Sequence, residues 1–246
     1  MRRVGEPVPA LRMVDVDAPA RARRLVETGG GRFSAEMGID VDRGSREVER
    51  WALAATLFGA RIPAGVVVRT FRVMVEAGAG TLAEIEARST NELVRLWNRA
   101  GYARYDYRTA LRLKKLAATL HGHCIAAPGT GSSSGRRIAL DALPGWGPVT
   151  VALFLRELRG VWPDVDPPLD DRAEQAARHL GLLDASDQPL ERLQVVATEA
   201  GLDLRDLEAG LIRLWLAHHL KFPHCAGGAR CFALSGPPRP GSGGNE

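Results

Sequence analysis

Leu143-Pro144-Gly145-Trp146-Gly147-Pro148-Val149-Thr150 reads as a tight Gly-x-Gly turn set between two helices. Pro144 and Gly145 fit the second and third positions of a type II turn, because proline presets φ at the second and glycine supplies positive φ at the third. Gly147 ends the turn. Pro148 suits the first residue of a new helix, where its missing N–H would have had no intrahelical partner. Val151, Phe154, Leu155 and Leu158 recur at helical spacing and predict one buried face on a helix reaching about Arg159. Backbone N–H groups left over at the turn and the helix start, with the helix dipole behind them, make an anion site that needs no cationic side chain. A DNA backbone suits it.

Outward from this turn the pattern is almost wholly helical and predicts an all-α fold. Apolar residues at helical spacing mark helices at about 46–58 (Val48, Trp51, Ala52, Ala55) and 64–76 (Val67, Val68, Phe71). Thr81-Leu82-Ala83-Glu84 and Ser89-Thr90-Asn91-Glu92 match the capping box, in which a hydroxyl and a glutamate three residues on satisfy each other's free donors. The second of these helices should stop at Gly101. A helix over 105–120 carries Thr109, Leu113, Leu116 and Leu120 on one face and Arg104, Arg108, Arg112 and Lys115 on another. Residues 121–135 read as a connection, and helices follow at about 172–182, 190–200 and 204–220. Residues 1–31, ending in three glycines, read as an arm with little helical signal, and 236–246 as a disordered tail. The predicted domain spans 32–235, with a barrel-like lobe at 46–159 that includes the hairpin at 136–159. The N-terminal arm and residues 160–235 make a second lobe.

The stretch Leu-Pro-Gly-Trp-Gly-Pro-Val-Thr-Val at 143–151 resembles the hairpin of the helix-hairpin-helix DNA glycosylase superfamily, which reads L-P-G-x-G-x-x-T-A. The resemblance is to its endonuclease III-like members and covers about residues 45–220. It implies two helical lobes with an active site in the cleft between them, and a catalytic aspartate after the hairpin at the start of another helix. Asp164, Asp166, Asp170 and Asp171 compete for that role. Counting back from the closing His179-Leu180-Gly181-Leu182 selects Asp170, with Asp171 and Asp166 as fallbacks. Aspartate is also among the best N-cap residues, so a purely capping role stays open. The resemblance further implies DNA contacts from Gly145, Trp146, Gly147, Val149 and Thr150 of the hairpin. It places Tyr102 as a wedge in the loop that touches the opened duplex, and Arg104 and Arg108 on the basic face beside it. Trp146 has a second reading, packing between the hairpin helices, and Tyr107 reads as core.

Breaking an N-glycosidic bond develops positive charge on the sugar, so the site needs a fixed carboxylate and a positioned water. Bifunctional relatives place a lysine two residues after the second hairpin glycine, and its amine attacks the sugar. Val149 stands there in this chain and is no nucleophile. The resemblance therefore implies a monofunctional DNA glycosylase of base excision repair, acting on double-stranded DNA that contains a damaged or modified base. A non-catalytic helix-hairpin-helix DNA-binding protein and a bifunctional glycosylase with lyase activity remain as alternatives.

Composition agrees with such a partner without selecting it. The 246 residues carry a net charge of +4, which favours a polyanion. There is no long apolar run for a membrane span and no apolar signal-peptide core behind Met1-Arg2-Arg3, so a cytoplasmic monomer is expected. Cys124, Cys225 and Cys231 form no disulfide framework. Many endonuclease III relatives end in a four-cysteine iron–sulfur loop, which the two cysteines near this C-terminus cannot reproduce. His219, His224, Cys225 and Cys231 are the candidate zinc ligands by sequence, but the adjacent His-Cys pair is poor ligand spacing. No metal and no cofactor are expected on this reading.

Overall fold

The computed structural model describes residues 17–59, 62–121, 125, 133–163 and 165–236. Among them every regular element is helical, apart from an isolated bridge between Arg159 and Trp162. The helices are α1 (Asp17–Gly29), α2 (Phe33–Glu36), α3 (Ser45–Phe58), α4 (Ala64–Glu76), α5 (Leu82–Ala87), α6 (Thr90–Arg99), α7 (Asp106–Thr119), α8 (Ser133–Asp141), α9 (Pro148–Arg156), α10 (Asp171–His179), α11 (Pro189–Ala200) and α12 (Leu204–His218). Short 3-10 turns carry the chain on to Leu234.

Local chemistry sets several of these boundaries. Both capping boxes form: at α5 the Glu84 N–H donates to Thr81 Oγ1 at 3.3 Å while the Thr81 N–H donates to Glu84 Oε2 at 3.1 Å, and Ser89 and Glu92 do the same for α6. Gly101, at φ 88°, closes α6. Helix α3 is buried on nearly every side, from Val48 through Trp51 to Leu57, as a helix at the centre of a core must be.

Two hydrophobic clusters divide the helices. The first gathers α3 to α9 around Trp51, Phe71, Trp97 and Phe154, and it extends from Phe33 to Val165. It thus reaches beyond the expected 46–159 at both ends. Trp51 is fully buried without a polar cost, since its indole N–H donates to the Phe154 carbonyl at 3.2 Å. The second cluster packs α12 against α1, α10 and α11 through Ala22, Leu25, Ala176, Val196, Leu207 and Leu211. Polar ties join the two. Arg205 on α12 pairs with Asp42 at 3.0 Å and donates to the Glu157 carbonyl at 3.3 Å, while within the first cluster the buried Glu157 side chain, at the end of α9, accepts the N–H groups of Phe33 and Ser34 at 2.9 Å each.

Residues 17–29 correct the expectation of an arm with little helical signal. Ala18, Ala22 and Leu25 make a buried stripe at helical spacing, and small alanines let α1 approach α12 closely. Pro19 is tolerated because the first-turn N–H groups have no intrahelical partners. Helix α8 also begins earlier than expected, at Ser133, and α9 stops at Arg156. Residues 1–16, Cys124, Asp164 and most of the expected tail lie outside the described residues.

Candidate functional site

The turn between α8 and α9 has the geometry its residues dictate. The Trp146 N–H donates to the Leu143 carbonyl at 3.0 Å, and Gly145, the third residue of this turn, sits at φ 81°. This is a type II turn with proline second. A side chain at Gly145 would collide with the stem of Arg112, whose Cδ lies 2.8 Å from where a Cβ would stand. Gly147 differs. Its backbone is extended, at φ −157°, and nothing lies within 4 Å of its Cβ position. The first intrahelical bond of α9 runs from the Val151 N–H to the Gly147 carbonyl, so the N–H groups of Val149 and Thr150 precede the ladder and are the donors a helix start offers an anion.

Other expected DNA contacts are corrected or relocated. Trp146 is buried, its indole N–H donating to Thr56 Oγ1 at 2.9 Å and its ring standing edge-on to Phe154 at 4.9 Å, so it anchors the turn to the core. The Thr150 side chain is buried beside Gly59, which leaves only its backbone to face a ligand. Val149 is 71% exposed. Tyr102 cannot be a wedge in this conformation: it is fully buried, donates to the Leu57 carbonyl at 3.0 Å, and its hydroxyl also meets Thr109. Burial accordingly pushes its pKa up. The exposed aromatics beside it are Tyr105, just before α7, and Tyr107 in the first turn of α7, where the sequence suggests a core position. Tyr105 alone among the described non-glycine residues has positive φ, 65°, and the exposed Arg104 guanidinium lies 4.9 Å from its ring centre. Arg108 is exposed one turn further along α7.

Asp170 is the N-cap of α10 and lines a cleft of about 300 Å³ with Arg137, Ala152, Arg156, Arg172 and Glu208. Ala152 and Arg156 belong to α9, the helix that the turn opens, and share a helical face with Val149. Asp170 Oδ1 accepts the Arg172 N–H at 2.9 Å, and the Arg172 guanidinium closes a two-pronged pair on both oxygens at 2.8 and 2.6 Å. Burial alone would raise the Asp170 pKa. The Arg172 side chain and backbone N–H, with the charges of Arg172 and Arg156, outweigh burial and hold it below the usual aspartate value. Asp170 is therefore a fixed carboxylate, ionised at neutral pH. Asp171 lines the same cleft from an exposed position. Asp166 is 74% exposed and paired with Arg159, away from the cleft lining.

Two cleft residues escaped sequence reasoning. Glu208 on α12 is fully buried; its Oε1 accepts the Asp170 N–H at 3.4 Å and its Oε2 pairs with Arg159 at 3.2 Å. Burial raises its pKa despite the nearby arginines, so two carboxyl groups of the cleft are pushed in opposite directions. Arg156 is 4% exposed, with Nη1 at 3.9 Å from Asp170 Oδ2, and its Nε and Nη2 have no hydrogen-bond partner. Buried guanidinium donors without partners are uncommon and suit an incoming anion.

The four candidate ligands at the C-terminal end, His219, His224, Cys225 and Cys231, are not brought together. His224 is exposed, and His219 stacks on Trp215 while its Nδ1 lies 2.7 Å from the Trp215 carbonyl. Cys225 and Cys231 instead meet His179 and His218. Among the described residues no helix is long and apolar enough to cross a membrane. Comparison with family models, curated proteins and solved structures gave no match to this chain.

Proposed function

We propose that the chain is a monofunctional DNA glycosylase of the helix-hairpin-helix class, which flips a damaged or modified base from double-stranded DNA and hydrolyses its bond to deoxyribose. The observation that carries this reading is that α9, which opens at the Gly145–Gly147 turn, forms with Ala152 and Arg156 a wall of the cleft that holds the ionised Asp170 at the start of α10. A phosphate held at the start of α9 would place the strand along the Val149, Ala152 and Arg156 face. The buried, unpartnered donors of Arg156 would then meet a second anionic group beside the reacting sugar.

In this mechanism the C1′–N bond breaks as water adds to C1′. The Asp170 carboxylate stabilises the cationic sugar and takes the proton that water releases, and the departing base leaves with the electron pair of the broken bond. Arg172 is half-exposed, and an arriving phosphate competes for its guanidinium and frees one Asp170 oxygen. Glu208 acts as a positioning residue by accepting the Asp170 N–H. Since Val149 supplies no amine, the product is an abasic site and strand scission needs alkali. The protein works as a cytoplasmic monomer, without a cofactor in the chemical step.

A second reading rests on the same carboxylate. With both oxygens taken by Arg172, Asp170 is fully employed as an N-cap, as it would be in a DNA-binding module without catalysis. Asp170→Asn decides between the two, because asparagine caps as well as aspartate but carries no charge. On a panel of single-lesion duplexes, the glycosylase reading expects alkali-labile sites from wild type and about 100- to 1,000-fold slower release from the variant, with duplex affinity within a few-fold. Equal release by Asp170→Asn, Asp171→Asn and Asp166→Asn would overturn the mechanism, and no release from any lesion by wild type would favour the binding module.

A further inference from the structure

His179 and His218 are the last residues of α10 and α12, and the chain beyond α12 turns back so that Cys225 and Cys231 meet them. One ligand atom from each of the four lies within 4.8 Å of every other. With zinc–sulfur bonds of about 2.3 Å and zinc–nitrogen bonds of about 2.0–2.1 Å, tetrahedral ligand atoms stand roughly 3.3–3.8 Å apart. The observed quartet is thus a slightly open cage for one ion. A two-iron cluster with histidine and cysteine pairs on different irons needs a wider spread.

Three further observations point to a ligand. The Nε2 atoms of His179 and His218 are both buried with no hydrogen-bond partner, a cost that coordination would remove. The rings are fixed in place, Phe222 stacking on His179 at 4.1 Å and Phe232 standing edge-on to His218 at 4.2 Å. The sulfurs are served by backbone donors: the N–H groups of Gly227 and Phe232 point to Cys225, and those of Ala233 and Leu234 to Cys231. Such N–H to sulfur bonds are the outer-shell support that coordinated thiolates take. The loop is pressed tightly onto the end of α10. A Cβ on Gly227, at φ 65°, would stand 2.5 Å from the His179 carbonyl oxygen, so only glycine lets the sulfur of Cys225 come this near.

We propose that His179, His218, Cys225 and Cys231 hold one zinc ion. Two imidazoles and two thiolates are a soft N2S2 set that selects zinc, and four protein ligands leave no open position for substrate, so the site is structural. It ties the C-terminal ends of α10 and α12 to the C-terminal segment. Asp170 caps the other end of α10, about 13 Å away at 1.5 Å per residue, and Glu208 lies on α12. The ion therefore fixes the helix pair that carries both carboxyl groups of the cleft.

The test uses the full chain purified without chelator and reconstituted with zinc or with cobalt alone. One zinc per chain is expected, along with the intense visible bands and the sulfur-to-metal charge-transfer band of tetrahedral cobalt. Chelation should lower the wild-type melting temperature. Cys225→Ser and His179→Ala should lose the metal and the chelator effect, whereas His219→Ala and His224→Ala should keep both. A chain that takes up neither metal would overturn the proposal, as would iron with acid-labile sulfide, or full loading of Cys225→Ser and His179→Ala. The wild-type cobalt spectrum decides the matter even if a ligand variant fails to fold. Base release plays no part in it.

Discussion

The two glycines of the turn should respond differently to substitution, and the difference separates DNA anchoring from folding. Gly145→Ala puts an L-residue at φ 81°, which costs about 1–2 kcal/mol, and displaces the Arg112 stem from 2.8 Å at about 0.5–1.5 kcal/mol for the off-rotamer adjustment. Destabilisation of about 2–3 kcal/mol is expected, or roughly 4–12 °C in a chain of this size. Gly147→Val meets no atom within 4 Å and keeps an extended backbone, so its folding cost is only that of a poor N-cap, about 1 kcal/mol or less. The same valine projects where a phosphate would approach the N–H groups of Val149 and Thr150. Losing that contact should weaken DNA binding by about 1–3 kcal/mol, or roughly 5- to 150-fold, on every sequence alike. Fluorescence anisotropy with unrelated duplexes at one fixed salt concentration, beside thermal melts by circular dichroism, measures both quantities. Wild-type DNA affinity in a folded Gly147→Val protein would refute the turn as anchor, and an unshifted melt in Gly145→Ala would refute the strain assigned to it.

Val149→Lys places an amine on the helical face that holds Ala152 and Arg156, so borohydride should trap an enzyme–DNA adduct with this variant and none with wild type; a strong wild-type adduct would contradict the water mechanism. Tyr105→Gly relieves the αL conformation and should stabilise the fold by about 1 kcal/mol while weakening binding to lesion-containing duplex, and unchanged binding would remove Tyr105 from the DNA surface. Asp170 and Asp203 both hold depressed pKa values because arginine hydrogen bonds and charges outweigh their burial. The stability they contribute is complete above the unfolded aspartate value of about 3.9 and is lost as pH falls through their folded values. Denaturant melts across that acid range should show a shallower limb in Asp170→Asn/Asp203→Asn than in wild type.

What was legible in the sequence was local. Proline and glycine fix the 143–147 turn through φ alone, and the capping boxes at Thr81 and Ser89 close within four residues, so each could be read without tertiary information. Features that depend on distant partners were misread. Tyr102 has the composition of a duplex-facing loop residue, yet the Leu57 carbonyl and the Trp97 ring hold it inward. Helix α1 is hard to read from sequence because alanines carry its apolar stripe between arginines, and only α12 reveals which face is buried. By sequence the histidines nearest Cys225 are His219 and His224, whereas the structure brings in His179 and His218 from two helix ends.

Capping and catalysis make compatible demands on Asp170, which is why its N-cap position does not by itself separate the two readings. A carboxylate that stabilises a sugar cation must stay ionised and must not move, and the start of α10 supplies both conditions through the Arg172 N–H and the helix dipole. What a cap does not require is the rest of the cleft: buried Arg156 with donors unmet, and buried Glu208 accepting the N–H of the capping residue itself. An arginine placed only to balance Asp170 would bring its guanidinium into contact, as Arg172 does at 2.6 Å. Arg156 stops at 3.9 Å with two donors to spare. Those buried, unmet donors beside an ionised aspartate, on the helix that the Gly145–Gly147 turn opens, are what the proposed substrate would use, being anionic along its backbone and cationic at one sugar as the bond breaks.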